Sequence, residues 1–386
     1  MRAALISLPH SEETAQPLIA GKSIAQRQLL FAREVGCEMA IAHGAGASDQ
    51  AIALRHMAEQ FGMRFQTVSN AHALGGAIGS GDSLLVMQPG LLPEARQALE
   101  LMQAEGDRAL IVSAGPGTAA GLERIDLDRA WGGAMTIPGS WLGKLNALPE
   151  DAAPHAALLR IALQQGLPEA RLDDGLLDDG RWMVVTGEEA ARARERGWLR
   201  SQVGKASALS PSRWLARMVA TRAGAWLLGR RWTRPVALVL FALALGGSVT
   251  AGLYDQPVVA FGLLALSVPL LEGLLALSRL LAAPFGSLRR LPTLRYAVDA
   301  ALFAIGLMTI DGLWYRSTFA PFVLVVALAL LDRRSGPSLL FLTRDRGVAI
   351  LVIALLAVVT VPELAIALVG GAVLASALLP QPRNRG

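Results

Sequence analysis

Glu272 lies inside a long apolar run, with Pro257–Leu271 before it and Leu274–Leu277 after it, and Arg279 follows seven positions on. That spacing puts both on one face of a helix, where a carboxylate and a guanidinium can join through water or a lipid phosphate. Arg289 and Arg290 continue the positive charge and could hold the same phosphate. In the first half the best anion contacts are Lys22 and Arg27. Gly21-Lys22-Ser23 ends like a phosphate-binding loop, but the glycine that loop needs five positions before Gly21 is Gln16. Asp173-Asp174-Gly175 and Asp178-Asp179-Gly180 form a doubled acidic motif, too short for a calcium loop and read as two solvated turns. His10, His43, His56, His72 and His155 show no metal-ligand spacing, and no GxSxG motif supports serine hydrolysis. Cys37 is the single cysteine, which excludes an intrachain disulfide and a cysteine-based zinc cluster and reads as a small buried hydrophobe. No metal site is expected from these residues.

The elements that must position them differ in the two halves. Residues 1–200 alternate strand-like runs (Ala3–Leu8, Glu38–Ala42, Arg64–Val68, Ser83–Met87, Ala109–Ser113) with helix-like ones (Ile24–Val35 and Asp49–Phe61). Such alternation predicts an α/β domain with a largely parallel sheet, whose ligands sit at the carboxyl ends of the strands. That edge includes Pro9–Lys22, His43–Ala47 and Gln88–Pro93. The glycines of Gly75–Gly81 read as a loop and Gly115-Pro116-Gly117 as a turn.

Near residue 232 the composition changes. The chain of 386 residues is 53% hydrophobic and carries a net charge of +5, with a mean hydropathy of +0.43. The apolar share is concentrated in six candidate spans, at about 235–253, 257–284, 296–314, 318–331, 347–361 and 363–380. The last two read either as a hairpin or as one tilted helix with a re-entrant piece. Arginines gather at alternate connections, which puts both termini and the first half on the cytoplasmic side. The N-terminus lacks a secretory pattern. Ser212–Arg231 interleaves Arg with Trp and Leu at helical spacing and reads as an interfacial helix. The expected domains are therefore 1–205, cytoplasmic; 206–232, an amphipathic linker; and 233–386, transmembrane. Asp299, Asp311 and Glu363 fall near span ends, where hydration suffices, leaving Glu272 as the one mid-membrane carboxylate. Because arginine clusters beside apolar runs, membrane lipids are the expected partners and nucleic acid is not.

A resemblance emerges from several segments together. Gln16-Pro17-Leu18-Ile19-Ala20-Gly21-Lys22-Ser23-Ile24, followed by Gln26–Gly36 and Cys37–Ile41, resembles the opening of nucleoside-triphosphate transferases. Asp82–Val86 with Gly90–Pro93 resembles their metal-loop strand. Gly121–Asp126 resembles a middle segment, and Trp182–Thr186 with Glu188, Glu189 and Ala190 a closing one. With a basic amphipathic helix and six spans following, the chain is similar to bifunctional inositol-phosphate cytidylyltransferases fused to a CDP-alcohol phosphotransferase. The resemblance implies an α/β nucleotidyltransferase-like domain with a Rossmann-like, mostly parallel sheet, joined to an all-α polytopic membrane domain of about six transmembrane helices. It implies a nucleotide as ligand, with Gln16, Lys22, Arg27, Asp82 and Gln88 at or near the family's positions. Mg²⁺ would be required only if the chain is active, and a partner enzyme of lipid synthesis is a further implied contact.

The departures from that pattern are chemical. The glycine-rich phosphate loop is replaced by Pro9-His10-Ser11-Glu12-Glu13-Thr14, whose two carboxylates repel a triphosphate. The lysine before Pro17 is Gln16, and the metal-binding aspartate before Gly90 is Pro89. Asp82 reads as a cap at the start of a strand. In the membrane half, Pro269–Leu277 keeps Glu272, Gly273 and Ala276 of a metal-binding pattern but lacks its first aspartate and its arginine. The expected function is thus a degenerate family member with a binding or partner role. The alternatives are an active enzyme using displaced ligands such as Asp82, Lys22, Glu123 and Asp126, and a scaffold or transporter with a regulatory soluble domain.

Overall fold

The structure, a computed structural model, describes residues 1–8, 18–149, 152–203, 232–282, 293–310, 312–333 and 345–378, with isolated positions at 211–212, 214–215, 218 and 285. The chain divides into two compact units, Met1–Arg196 and Gly197–Gly386.

In the first unit, short apolar runs make the central strands β1 (Arg2–Ser7), β4 (Met39–His43) and β6 (Ser83–Met87). These are buried through their centres, as strands covered on both faces must be. Between β1 and β4 come a small hairpin, β2 (Leu18–Ile19) and β3 (Lys22–Ser23), and helix α1 (Ile24–Val35). A capping box fixes the start of α1: the Ser23 hydroxyl accepts from Gln26 N–H while the Gln26 side chain accepts from Ser23 N–H. Gly36, at φ 93°, ends it in the left-handed conformation. Helix α2 (Asp49–Gln60), capped by Ser48, leads to the edge strand β5 (Arg64–Val68), then to the short helix α3 (Leu74–Ala77). After β6 follow β7 (Leu91–Pro93), α4 (Arg96–Gln103), β8 (Ala109–Ser113) and α5 (Ala114–Ala119). Gly115-Pro116-Gly117 is therefore helical and not a turn: Pro116 lies in the first turn, where its missing N–H costs nothing. Then come β9 (Arg129–Pro138), α6 (Pro154–Gln164), β10 (Glu169–Arg171), α7 (Gly175–Asp178), β11 (Trp182–Val184) and α8 (Gly187–Val203).

The main sheet has the order β10-β8-β9-β6-β1-β4-β5. All its pairings are parallel except those of β9, which runs antiparallel between β6 and β8. The expected α/β unit with a mostly parallel sheet is thus observed. Strand β9 was not among the expected strands. Its register shifts across Gly132-Gly133, because Ile111 pairs Trp131 while Ala109 pairs Met135. Gly133 takes φ +75°, and a Cβ on Gly132 would lie 2.8 Å from the Leu110 Cβ, so the bulge depends on both glycines. Trp131 and Trp182 are fully buried beside it, and the Trp182 ring N–H donates to the Gly132 carbonyl at 2.6 Å.

The second unit is helical. Among the described residues it contains α9 (Thr233–Leu253), α10 (Pro257–Ala282), α11 (Leu294–Thr309), α12 (Trp314–Arg333), α13 (Arg346–Val359) and α14 (Pro362–Leu378). The final segment is a hairpin of two helices, which settles the alternative left open by its sequence. Phe241, Phe261, Leu264, Ile305, Leu324, Ile350 and Ile366 belong to one shared core. Two of the helices, Thr233–Leu253 and the Pro257–Arg279 stretch, are long and apolar enough to cross a membrane. The interfacial-helix segment 219–231 and Asp311 lie outside the described residues.

Candidate functional site

Strand β1 leads through α1 to β4 on one side of the sheet, and β6 lies on the other side of β1. The carboxyl ends of β1 and β6 therefore flank the point where the chain reverses its direction of winding, the usual ligand crevice of such sheets. On the β1 side the loop with Gln16 falls outside the described residues. On the β6 side stands Gln88. Its backbone N–H donates to the Gly133 carbonyl at 2.7 Å, and its Nε2 donates to the Gly121 carbonyl at 2.9 Å. Its Oε1 is shut off from solvent and has no hydrogen-bond partner. The Gln28 side chain crosses beneath, donating to the carbonyls of Gln88 at 2.9 Å and Leu91 at 3.1 Å. Gln88 is thus held as a rigid amide at the end of the strand, with its Oε1 enclosed by protein.

Beside it the β2–β3 hairpin and the first turn of α1 form a charged cluster. Arg27 is 2% exposed and forms an ion pair with Glu94, also 2% exposed; its Nη2 donates to the Ile19 carbonyl at 2.6 Å. Arg27, expected as a nucleotide contact, is instead an internal counter-ion. Lys22 is half-buried at the same place, its ammonium lowered first by burial and then by the nearby Arg27 charge. Helix α8 closes the cluster: Glu195 Oε1 accepts from Ala20 N–H at 2.7 Å. Arg194, one residue earlier, brings a third cation that the sequence reading missed.

Asp82 is placed far from this group. It precedes β6, whereas Gln88 follows it, so the two lie at opposite edges of the sheet, about 20 Å apart along the strand. Its carboxylate accepts from Gly79 N–H at 3.0 Å and pairs with the Met1 ammonium at 2.9 Å. The ammonium hydrogen bond holds the Asp82 carboxyl below its ordinary value. It caps the start of the strand and closes the N-terminus, and cannot serve a ligand at the carboxyl edge. Asp126 is likewise engaged, accepting from Asp128 N–H and from Arg129 backbone and side chain. Asp174 is no solvated turn residue: it accepts from Ser113 N–H at 3.0 Å and Ser113 Oγ at 2.6 Å. The Mg²⁺ that an active family member would need does not fit this arrangement. Pro89 offers no oxygen ligand in its side chain, Asp82 is at the wrong edge, and no group of three His, Cys, Asp or Glu side chains converges among the described residues. Cys37 is buried, with its thiol pushed up to about 12 by burial, and is unreactive.

In the helical unit Glu272 does not reach Arg279. It pairs with Arg295 of α11 at 2.7 Å, and Arg279 is exposed. Asp299 is not merely hydrated either: it is buried and receives two hydrogen bonds from Arg346, at 2.8 and 3.0 Å. Asp345 caps α13 through Gly347 and Val348 N–H, and its two oxygens accept from Ser212 N–H and Oγ, both at 2.7 Å. Glu272 and Arg279 share a helix face but lie about 10 Å apart along its axis, whereas Arg295 reaches Glu272 from the next helix. Arg289 and Arg290 lie outside the described residues.

No family model matches this chain, and no curated protein matches it. Solved structures that match over the N-terminal half are nucleotidyltransferases. One, a provisionally assigned glucose-1-phosphate thymidylyltransferase from Bacillus anthracis in complex with a sucrose, is 12% identical, covers 50% of this chain and 94% of its own, and gives a TM-score of 0.38. Another, a UDP-glucose pyrophosphorylase from Acinetobacter baumanii, is 10% identical, covers 50% and 92%, and gives 0.35. At these scores neither likeness carries an argument about activity, and the site must be judged on its own residues.

Proposed function

We propose that this chain is an inner-membrane protein of the nucleotidyltransferase and CDP-alcohol phosphotransferase type, catalytically degenerate, with a binding or partner role in phospholipid headgroup metabolism. The observation that carries this reading is Gln88-Pro89 at the carboxyl end of β6, where an active site of this type needs a carboxylate for Mg²⁺. A neutral amide brings no negative charge to offset Mg²⁺ or to bridge it to substrate phosphates as a carboxylate does. In this reading Gln88, Gln16 and Lys22 bind the nucleotide. Arg279, with Arg289 and Arg290 as expected from the sequence, would take a lipid phosphate, and Glu272 stands deeper in the same helix as Arg279.

The membrane part of the proposal rests on how aromatic residues and apolar faces are arranged. Trp232 is exposed before α9 and Tyr254 after it, 22 positions on. At 1.5 Å per residue they stand about 33 Å apart, close to the thickness of a hydrocarbon core. Tyr296 at the start of α11 joins the first belt, and Trp314 and Tyr315 at the start of α12 join the second. Between the belts α9 turns Val236, Leu240 and Leu243 outward, a face suited to lipid. Six helices crossing in alternation would place both termini and the first unit in the cytoplasm.

The test is titration of the full-length chain in lipid nanodiscs with CTP, with and without Mg²⁺, followed by assay of pyrophosphate release with sugar and polyol phosphates. The reading expects no pyrophosphate release and no dependence of binding on Mg²⁺. Micromolar, Mg²⁺-dependent binding accompanied by pyrophosphate release would overturn it in favour of an active transferase.

A further inference from the structure

Pro211, Ser212, Trp214, Leu215 and Met218 are helical, and they divide by face. Ser212 is 7% exposed, and its N–H and Oγ both donate to the Asp345 carboxylate at 2.7 Å. Gly347 allows that approach, because a Cβ there would collide with the Ser212 Oγ. Positions 211, 214, 215 and 218 follow the spacing i, i+3, i+4, i+7 and make an apolar stripe about 100° wide. Trp214 lies about 160° round the helix from Ser212. The stripe faces outward: Trp214 is 46% exposed and Leu215 43%. An amphipathic helix of a globular protein turns such a stripe onto a core. Here the inner contact is a polar lock and the apolar side is left open.

Three helix starts fix where in the helical unit this segment stands. Asp345 caps α13, and its neighbour Arg346 pairs with Asp299 in the second turn of α11. Helices α9 and α11 run the same way, since a Cβ on Gly252, near the end of α9, would lie 3.5 Å from Ile305, near the end of α11. Ser212 therefore stands at the end of the unit where Trp232 precedes α9 and Tyr296 begins α11, both exposed. Arg213 and Arg217 interleave the stripe in the sequence, a composition that suits a helix lying on anionic lipid. We propose that the Ser212–Asp345 contact fastens residues 211–218 to the helical unit as an anchor on the membrane surface, with Trp214 and Leu215 inserted at the boundary between headgroups and acyl chains. The partner is a lipid surface, and the inference rests on the membrane reading above.

The experiment places the full-length chain in vesicles of phosphatidylcholine and phosphatidylglycerol, with an NBD fluorophore on one introduced cysteine at a time. Cys37 is buried and does not compete for the label. Trp214→Cys reports on the anchor, and Leu243→Cys on the outward face of α9. The lipids carry doxyl quenchers at a shallow or a deep position. The label at 214 is expected to be quenched more by shallow doxyl, and the label at 243 more by deep doxyl. Gly347→Ala, which crowds Ser212 out of the lock, should lower quenching at 214 about twofold or more and leave 243 unchanged. Quenching at 243 with none at 214 overturns the anchor and keeps the membrane reading, leaving the first unit or a second copy of the chain to cover the stripe. No quenching at 243 removes the membrane reading and the anchor with it. Equal quenching at 214 with and without Gly347→Ala overturns the lock. Should Gly347→Ala fail to fold, Ser212→Ala, which removes one of the two bonds to Asp345, makes the same comparison.

Discussion

Replacing Glu94 with glutamine removes the carboxylate that forms a buried ion pair with Arg27 and that offsets the charges of the nearby Lys22 and Arg194. The side chains of Glu94 and Arg27 are each 2% exposed, so little water can step in. Breaking such a pair by removing one partner costs about 3–5 kcal/mol, since the remaining charge stays buried and uncompensated. For a unit of this size each kcal/mol lowers Tm by about 2–4 °C, so Glu94→Gln should lower the melting temperature of Met1–Arg196 by roughly 6–20 °C. The reciprocal change, Arg27→Met, should be milder, about 1–2 kcal/mol, because Lys22 and Arg194 remain to compensate the Glu94 carboxylate. The assay is pulse proteolysis of the full-length chain with mass-spectrometric readout of peptides from β1 and β4, so that the helical unit does not contribute. If Arg27→Met proves as costly as Glu94→Gln, the three cations do not share Glu94 and the charge argument fails. If both cost under about 1 kcal/mol, the pair is solvated in spite of its burial.

His155 has its pKa lowered from 6.5 to about 4, first by burial and then by the nearby His43. The folded unit therefore binds fewer protons than the unfolded chain between those values, so its stability should fall as pH drops from about 6.5 to about 4, and His155→Gln should flatten that limb in melts taken across the range. Asp345→Ala removes the cap of α13 and strands the buried Ser212 N–H, and should destabilise the helical unit by about 1–3 kcal/mol in thermal melts, with Asp345→Asn recovering part of the loss.

The sequence by itself determined what depends on near neighbours. The apolar runs of β1, β4, β6 and β8 and the Ser23-to-Gln26 and Gly36 signals of α1 act over a few residues, and so do the six apolar helical stretches. Period and capping are local physics, and these elements stand where they were expected. Tertiary structure decided the rest. Strand β9 carries two adjacent glycines that weaken it as a local strand, and it exists because its bulge fits between β6 and β8. Arg27 meets Glu94 across 67 positions, and Ser212 meets Asp345 across 133. Glu272 chooses Arg295 over the Arg279 on its own helix, and Asp299 chooses Arg346. The position of Gln88 at the end of β6 was legible because it follows a recognisable strand. Arg194 was not, since one arginine in a charged helix carries no local mark of burial. A desolvated ion takes whichever counter-ion the packing brings within reach, and that choice is made by the folded chain.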